Sequence, residues 1–300
     1  MSHRNRLEPV APHSQTDEES HEPRRPLISV ASPFLAAPGT VHLAPPRHET
    51  NDWRVELYRG ESNIPFVLDT AGMRHLYFDL AAVQSSMRLA EPDALVTAYA
   101  RKMMAFLLFD RSPRHILMIG LGGGSLVKFC HRHLPDTQLT VVEINPDIVA
   151  LRESFYIPPD DERLQVIVGD GDDFVRNRDW TADILLIDAF DHTGVAPSLA
   201  SRDFYARAFH CLSSHGVLVM NLAGERARYI AHLEKLRETC PGPVLLVPVE
   251  DDGNVLVFAF ARTERAWTSQ AAKRAAVELQ RDLELEFPRF LQRLRMGHLL

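Results

Sequence analysis

The sequence predicts an α/β fold with a doubly wound, mostly parallel sheet and a small N-terminal β subdomain. Five continuous apolar runs rich in β-branched residues follow one another along the chain: 116–119, 139–142, 164–168, 184–187 and 217–220. Runs of this kind are typical of strands that are covered on both faces. Segments long enough for helices separate them, which favours a parallel sheet between two helical layers. With 300 residues and 45% hydrophobic content, the chain can bury a large core.

The N-terminal part of the chain differs from this pattern. Residues 1–49 are rich in proline, histidine, serine and charge and have no periodicity, which predicts a disordered arm. Alternating apolar and polar residues at 54–59 and 74–80, with Gly72 between them, predict short antiparallel strands. We therefore expect a small β subdomain over residues 50–91.

The main α/β domain is expected over residues 92–262. Pro92 and Asp93 suit the first turn of a helix, and apolar residues follow at helical spacing: Leu95, Val96, Tyr99, Met103, Phe106 and Leu107. Two more predicted strands, at 244–247 and 255–260, end this domain. Good helix formers then predict a helical C-terminal appendage over 263–300.

Charge and cysteine content exclude several classes of protein. The chain has 33 Lys and Arg against 40 Asp and Glu, a net charge of −7, so no global positive field favours nucleic acid. No apolar stretch approaches the length of about 20 residues that a membrane helix needs. The three cysteines are far apart and lack metal-ligand spacing, so neither a disulfide scaffold nor a zinc site is expected. These features predict a soluble cytoplasmic protein.

A glycine-rich turn after the first parallel strand is the first functional signal. Gly120, Gly122 and Gly124 precede a predicted helix, where glycines permit a tight turn and the helix offers free N–H groups to a ligand. Glu143 ends the next strand, where an acidic residue can accept both hydroxyls of a ribose. The pattern predicts a nucleoside site, and a ligand-free glycine connection is the alternative.

Three further carboxylates follow strand ends. Asp170, followed by Gly171, ends the third strand, where its carboxylate can receive the exocyclic amine of adenine. Asp188 and Asp191 follow the fourth strand, in the crevice where open α/β sheets bind ligands. A carboxylate there can hold an ammonium group and take its proton, which makes the amine nucleophilic. Structural alternatives are a solvated loop acid for Asp170, a helix cap for Asp188 and a solvated Asp191.

Taken together, these residues resemble the polyamine aminopropyltransferases, the spermidine synthase family. The resemblance runs from about residue 76 to residue 260 and is best at 78–84, 116–125, 141–145, 168–171 and 188–205. It implies a Rossmann-like domain of methyltransferase type, with no prosthetic group and with decarboxylated S-adenosylmethionine as co-substrate. It also implies a homodimer.

The resemblance assigns roles to individual residues. Glu143 would bind the ribose and Asp170 the adenine, while Asp188 would be the general base. Asp191 would hold the amine substrate, and Gln84 would line its pocket. Tyr99, one position from the usual tyrosine, is the corresponding substrate-binding residue on the first helix. The implied reaction is attack by a neutral amine on the carbon beside the sulfonium, with release of methylthioadenosine.

The chain departs from the family pattern at the donor end. Gly123 replaces the aspartate that holds the amine of the aminopropyl group, and Asn145 replaces the acidic residue after Glu143 and Ile144. The acidic run 250–252 stands where a tyrosine-containing segment closes the family's pocket, and it could supply replacement negative charge. Two alternatives therefore stay open: a methyltransferase or aminocarboxypropyl transferase that uses S-adenosylmethionine, and a non-catalytic protein that binds a nucleoside or a polyamine.

Overall fold

A computed structural model describes most of the chain. The described residues are 27–32, 38–43, 65–78, 83–176, 181–191, 194–223, 226–249, 253–262, 270–296 and 298–299. Among them, no helix combines the length and the apolar character that a membrane span requires.

The N-terminal part is a five-stranded antiparallel sheet with the strands in chain order. They are β1 (Ile28–Ala31), β2 (Thr40–Leu43), β3 (Phe66–Thr70), β4 (Met73–Tyr77) and β5 (Val83–Arg88). The prediction of disorder over residues 1–49 is corrected for β1 and β2, since β2 pairs with β3 and buries Val41 and Leu43. The strand predicted at 54–59 lies outside the described residues.

The main sheet has eight strands. In chain order they are β6 (His115–Ile119), β7 (Gln138–Glu143), β8 (Leu164–Val168), β9 (Ala182–Ile187), β12 (Leu212–Leu222), β13 (Val244–Pro248), β14 (Val255–Phe260) and β15 (His298–Leu299). Two short strands, β10 (Phe190–Asp191) and β11 (Gly194–Val195), pair with each other between β9 and β12.

The strand order is β15-β13-β14-β12-β9-β6-β7-β8. Strands β12, β9, β6, β7 and β8 are parallel, whereas β14, β13 and β15 add antiparallel pairs at one side. This confirms the predicted fold class. The chain leaves β6 toward β7 on one side and later returns to β9 on the other, so the carboxyl end of β6 is the topological switch point of the sheet.

Eight α-helices are described. They are α1 (Ala98–Met103), α2 (Ser125–His133), α3 (Pro146–Ala150), α4 (Gly171–Arg176), α5 (Arg202–His210), α6 (Arg226–Thr239), α7 (Gln270–Leu283) and α8 (Phe287–Met296). There are also two 3₁₀ segments: Met104–Leu108 directly follows α1, and Pro197–Ala200 precedes α5. The single helix predicted from Pro92 to Leu107 is therefore a short α-helix that continues as a 3₁₀ turn.

Apolar clusters cover both faces of the sheet. One contains alternate β6 residues such as Ile116 and Met118, and the other contains Leu117 and Ile119. Because successive strand residues point to opposite faces, β6, β7, β9 and β12 each contribute side chains to both clusters, which explains their continuous apolar sequences. The helix α8 buries its apolar face in the first of the two clusters. The core packing thus fixes the carboxyl ends of the parallel strands, where the polar residues of the candidate site lie.

Candidate active site

The glycine turn after β6 lies against the end of β9. Gly120 has φ +97°, and a Cβ atom there would lie 2.3 Å from the carbonyl oxygen of Asp188. The backbone N–H of Asp188 donates to the carbonyl of Ile119 over 3.0 Å. Only glycine combines that backbone conformation with so close an approach. The glycine turn therefore packs closely against the backbone of the predicted base, and a backbone hydrogen bond connects the two strand ends.

The rest of the turn leads directly into α2. Gly122 and Gly124 also have positive φ values, 51° and 66°, and the amide of Lys128 donates to the carbonyl of Gly124 over 2.9 Å. A Cβ atom at Gly124 would lie 2.4 Å from Ile157, so the turn is enclosed on that side. The free backbone N–H groups at the start of α2 suit an uncharged or anionic ligand.

Glu143 is buried at the end of β7 and is held by the backbone. Its Oε2 accepts a hydrogen bond from the amide of Leu121 over 2.8 Å, and its Oε1 accepts one from the amide of Asn145 over 2.9 Å. These bonds fix the carboxylate beside the glycine turn. Each oxygen retains a lone pair, so the carboxylate can still accept hydroxyl groups of a ligand.

Asp170 has a structural role that the sequence interpretation missed. Its Oδ1 accepts hydrogen bonds from the amides of Asp172 (2.7 Å) and Asp173 (3.3 Å), which caps the N-terminus of α4. The neighbouring Gly171 is buried, and a Cβ atom there would meet Ile119 at 2.6 Å. A cap that uses one carboxylate oxygen leaves the other available for a ligand.

Asp188 follows β9 and is bound by two side chains. The amide Nδ2 of Asn221 donates to its Oδ1 over 3.0 Å, and the hydroxyl of Tyr99, on α1, is also hydrogen-bonded to its carboxylate. Desolvation by burial raises the pKa of Asp188, and the two hydrogen bonds partly oppose this effect. The helix-cap alternative is not observed, and the predicted base and Tyr99 are in direct contact.

Asn221 is a site residue that sequence reasoning missed. It lies on β12, next to β9, and is only 3% exposed. Its Nδ2 bonds Asp188, while its buried Oδ1 has no hydrogen-bond partner among the residues that the structure describes. A buried acceptor without a partner is costly, so this atom points to a ligand that donates an N–H or O–H. The available signal was a polar residue within the apolar second half of the strand, residues 217–222.

Two predicted substrate residues are less closely tied to this cluster. Gln84 is exposed on β5 and lies in a β-bulge, since Leu76 pairs with Ser85 and Tyr77 with Val83. The backbone of Asp191 lies in β10, three residues after Asp188, but its side chain lies outside what the structure describes. The acidic run at 250–252 is also outside the described residues.

The surroundings of Gly123 explain how the turn closes without a side chain. A Cβ atom at Gly123 would lie 2.6 Å from Oγ of Ser85 and 3.0 Å from Cδ1 of Phe155. Ser85 is buried on β5, next to the bulge at Gln84. The N-terminal sheet thus fills the space that a larger residue at position 123 would need.

Known proteins are similar to this chain in sequence and in fold. A model of the spermine/spermidine synthase domain matches residues 96–239. The polyamine aminopropyltransferase of Chromobacterium violaceum is 35% identical over 241 residues, which are 78% of this chain and 92% of that protein.

Solved structures agree at the level of the fold. A probable spermidine synthase from Corynebacterium glutamicum has a TM-score of 0.59 at 18% identity, covering 72% of this chain and 84% of its own. Human methyltransferase-like protein 13, solved in complex with SAH, has a TM-score of 0.54 at 22% identity, covering 66% of this chain and 93% of its own. The sequence is 35% identical to a curated relative over 92% of that protein, and the fold is that of a probable spermidine synthase. The chain therefore belongs to the polyamine aminopropyltransferase (spermidine synthase) family of transferases.

Proposed function

We propose that this protein transfers the aminopropyl group of decarboxylated S-adenosylmethionine to a polyamine or a related amine and releases methylthioadenosine. The observation that carries the proposal is the cluster of Asp188, Tyr99 and Asn221 at the carboxyl end of β9 and β12. It combines a partly desolvated carboxylate with a buried acceptor that has no described partner. Such a cluster fits a ligand with several N–H donors, as an amine has.

Asp188 is the proposed general base. The amine nitrogen attacks the carbon beside the sulfonium, the carbon–sulfur bond breaks, and its electron pair stays on the sulfur of methylthioadenosine. The attacking nitrogen, now bonded to the aminopropyl group, loses a proton to the carboxylate of Asp188. Burial raises the pKa of this carboxyl, which makes the carboxylate a better proton acceptor than an ordinary aspartate.

Three groups are proposed to place the amine for attack. Oδ1 of Asn221 accepts one N–H of the amine, which relieves the unpaired buried acceptor. Asp191 holds the charged end of the acceptor, and Gln84 lines its pocket. Holding the nitrogen in line with the carbon–sulfur bond provides most of the rate enhancement, because the reaction needs little covalent help from the protein.

The nucleoside is proposed to bind along the glycine turn. Glu143, already fixed by the amides of Leu121 and Asn145, binds the ribose hydroxyls. Asp170 receives the adenine amine with the oxygen that does not cap α4. The backbone at Gly120, Gly122 and Gly124 lets the sulfonium region come close to Asp188.

The resemblance also supports a homodimer that acts on small molecules in the cytoplasm. The net charge of −7 supports cationic amines as ligands rather than nucleic acid.

A methyltransferase is the second candidate, favoured by one observation. Gly123 and its neighbour Ser85 place no carboxylate at the donor end, so the methionine carboxylate of S-adenosylmethionine would meet no like charge there. A protein that binds nucleoside and amine without reaction is the third candidate.

Mass spectrometry of the products separates these candidates. The purified protein is incubated with decarboxylated S-adenosylmethionine or with S-adenosylmethionine, each with a mixture of diamines and polyamines. The proposal predicts methylthioadenosine and an aminopropylated amine from the decarboxylated donor. S-adenosylhomocysteine would indicate methyl transfer, and binding without turnover of either donor would indicate the non-catalytic candidate.

A further inference from the structure

The glycine turn packs against a short segment that follows α3. We call residues 154–157 the 154–157 wall. A Cβ atom at Gly123 would lie 3.0 Å from the ring of Phe155, and one at Gly124 would lie 2.4 Å from the side chain of Ile157. Both of these wall side chains are buried. The wall is therefore in direct contact with the turn, and its position determines the space that the turn occupies.

Two consecutive carbonyl groups of the wall are bound by cations from other elements. Lys128, on α2, is 1% exposed, and its Nζ donates to the carbonyl oxygen of Phe155 over 2.8 Å and to Sδ of Met87 on β5 over 2.9 Å. Nη1 of Arg74, on β4, donates to the carbonyl oxygen of Ser154. Hydrogen bonds from charged donors are stronger than those between neutral groups. The wall is thus held by α2 on one side and by the N-terminal sheet on the other.

The N-terminal sheet reaches the wall at a single place. Arg74 and Met87 are directly opposite each other on β4 and β5. Asp69, on β3, accepts hydrogen bonds from Nε and Nη2 of Arg74 over 2.7 and 2.6 Å, and this two-point contact fixes the direction of the remaining nitrogen, Nη1. Cζ of Arg74 also lies 5.9 Å from the centre of the Tyr156 ring, within the range of a cation–π contact.

This arrangement keeps two unfavourable features. Burial lowers the pKa of Lys128 to about 8, and the positive charge of Arg74 lowers it further, against the opposing effect of Asp93. Tyr156 has φ +54°, a left-handed conformation that is uncommon for a residue with a side chain. Features of this kind persist where the surrounding structure enforces them, and they concentrate at functional sites. They indicate that the wall does more than fill space.

The glycine turn depends on its neighbours for a defined conformation. All three of its glycines with positive φ lack the side chains that restrict other residues, and glycine loses more conformational freedom on ordering than any other residue. A ligand binds more tightly when this ordering cost has been met before the ligand arrives. A wall that is fixed in place meets part of that cost.

We propose that Lys128 and Arg74 are positioning residues for the nucleoside. They hold the 154–157 wall against the glycine turn, so the N-terminal sheet becomes part of the nucleoside site without touching the nucleoside. This inference rests on the proposed function, in which the nucleoside binds along that turn.

The test uses Lys128→Met and Arg74→Met in the full-length protein, since each variant removes one donor to the wall. Calorimetry gives the affinity for methylthioadenosine, and steady-state kinetics give KM and kcat with decarboxylated S-adenosylmethionine. Each variant should bind methylthioadenosine at least about fivefold more weakly and raise the donor KM to a similar extent, the lower range of coupling between two sites. The value of kcat at saturating donor should be almost unchanged, because Asp188 and its partners are not altered.

Arg163→Met is the matched control. Arg163 donates to the carbonyl oxygens of His131 and Leu134 over 3.2 Å each, at the other end of α2. Its loss also removes a cation from backbone carbonyls and should lower the temperature of thermal unfolding, but the affinity for methylthioadenosine should stay that of the wild type.

The double variant Arg74→Met with Lys128→Met tests whether the two residues act on the same wall. It should lose less affinity than the product of the two single losses, because one substitution already releases the wall in part. Thermal unfolding of every variant shows that the protein measured is folded.

The outcomes separate this inference from the proposal on which it rests. If the wild type binds methylthioadenosine and both wall variants bind it equally well, the inference is overturned and the proposed function stands. An equal loss of affinity in Arg163→Met would also overturn it, since general destabilisation would then explain the effect. A fall in kcat without a change in donor KM would overturn it as well. If the wild type does not bind methylthioadenosine, the proposed nucleoside site fails, and the inference fails with it.

Discussion

Replacing Asn221 by leucine should make the reaction more sensitive to acid. Leucine keeps the number and branching of the side-chain heavy atoms of asparagine but cannot donate to Oδ1 of Asp188, a bond of 3.0 Å in the wild type. A hydrogen bond to a charged group contributes about 1.5–3 kcal/mol, and every 1.4 kcal/mol changes an equilibrium about tenfold. Without this bond the pKa of Asp188 rises further, because desolvation is then opposed by the Tyr99 hydroxyl alone. At pH values below the pKa of Asp188, the ionised fraction of this carboxyl group should therefore fall about ten- to a hundredfold.

The assay is the pH dependence of kcat/KM for the wild-type protein and the variant. Any loss of amine contacts from Asn221→Leu lowers kcat/KM at every pH, whereas the loss of ionised Asp188 enlarges the difference only as the pH falls. Tyr99→Phe should change the profile in the same direction. Tyr205→Phe is the matched control, because that buried hydroxyl contacts Met220 rather than Asp188. Parallel profiles for Asn221→Leu and the wild type would refute Asp188 as the titrating base.

Three further changes test the scaffold. Gly120→Ala should lower the free energy of unfolding by about 1–3 kcal/mol in denaturant titrations, because φ is +97° and Cβ would meet Asp188, whereas Gly169→Ala has open space and should be nearly neutral. In the same measurement, the free energy of unfolding of the wild type should rise by up to about 3 kcal/mol between pH 8 and 10.5. In that range Lys128 is protonated in the unfolded state but mostly deprotonated in the folded state, where its pKa is about 8. Lys128→Met should show no such rise. Ser201→Ala removes the cap of α5 and should cost about 1 kcal/mol in thermal unfolding.

The parallel sheet could be predicted because four of its five parallel strands are covered on both faces, the edge strand β8 being the exception. Each of the five runs is almost wholly apolar, and this property is visible in the sequence without knowledge of the neighbours. The strands β1 and β2 could not be found in this way. They are four residues long and lie in a region rich in proline and charge. They are stabilised because β1 pairs with β2 and β2 pairs with β3, and local composition does not predict this pairing.

The site residues also differ in whether the local sequence predicts their role. Glu143, Asp170 and Asp188 could be placed because each lies at or just after the end of an apolar strand, and the carboxyl ends of parallel strands meet at one edge of the sheet. Asn221 sits within such a strand and Ser85 on a different sheet, so their roles depend on contacts between distant segments. Lys128 reads in the sequence as an ordinary helix residue, and only its contacts with Met87 and Phe155 show that it is buried.

The central claim is that Asp188 takes the proton of an amine that attacks a nucleoside sulfonium. Its most direct test is single-turnover release of methylthioadenosine from decarboxylated S-adenosylmethionine and amine, with Asp188→Asn beside the wild type and with methylthioadenosine affinity measured for both. A general base contributes about 10²- to 10⁴-fold, so the variant should lose at least a hundredfold in rate while its affinity for methylthioadenosine stays within a few fold. A rate within tenfold of the wild type at equal affinity would contradict the claim.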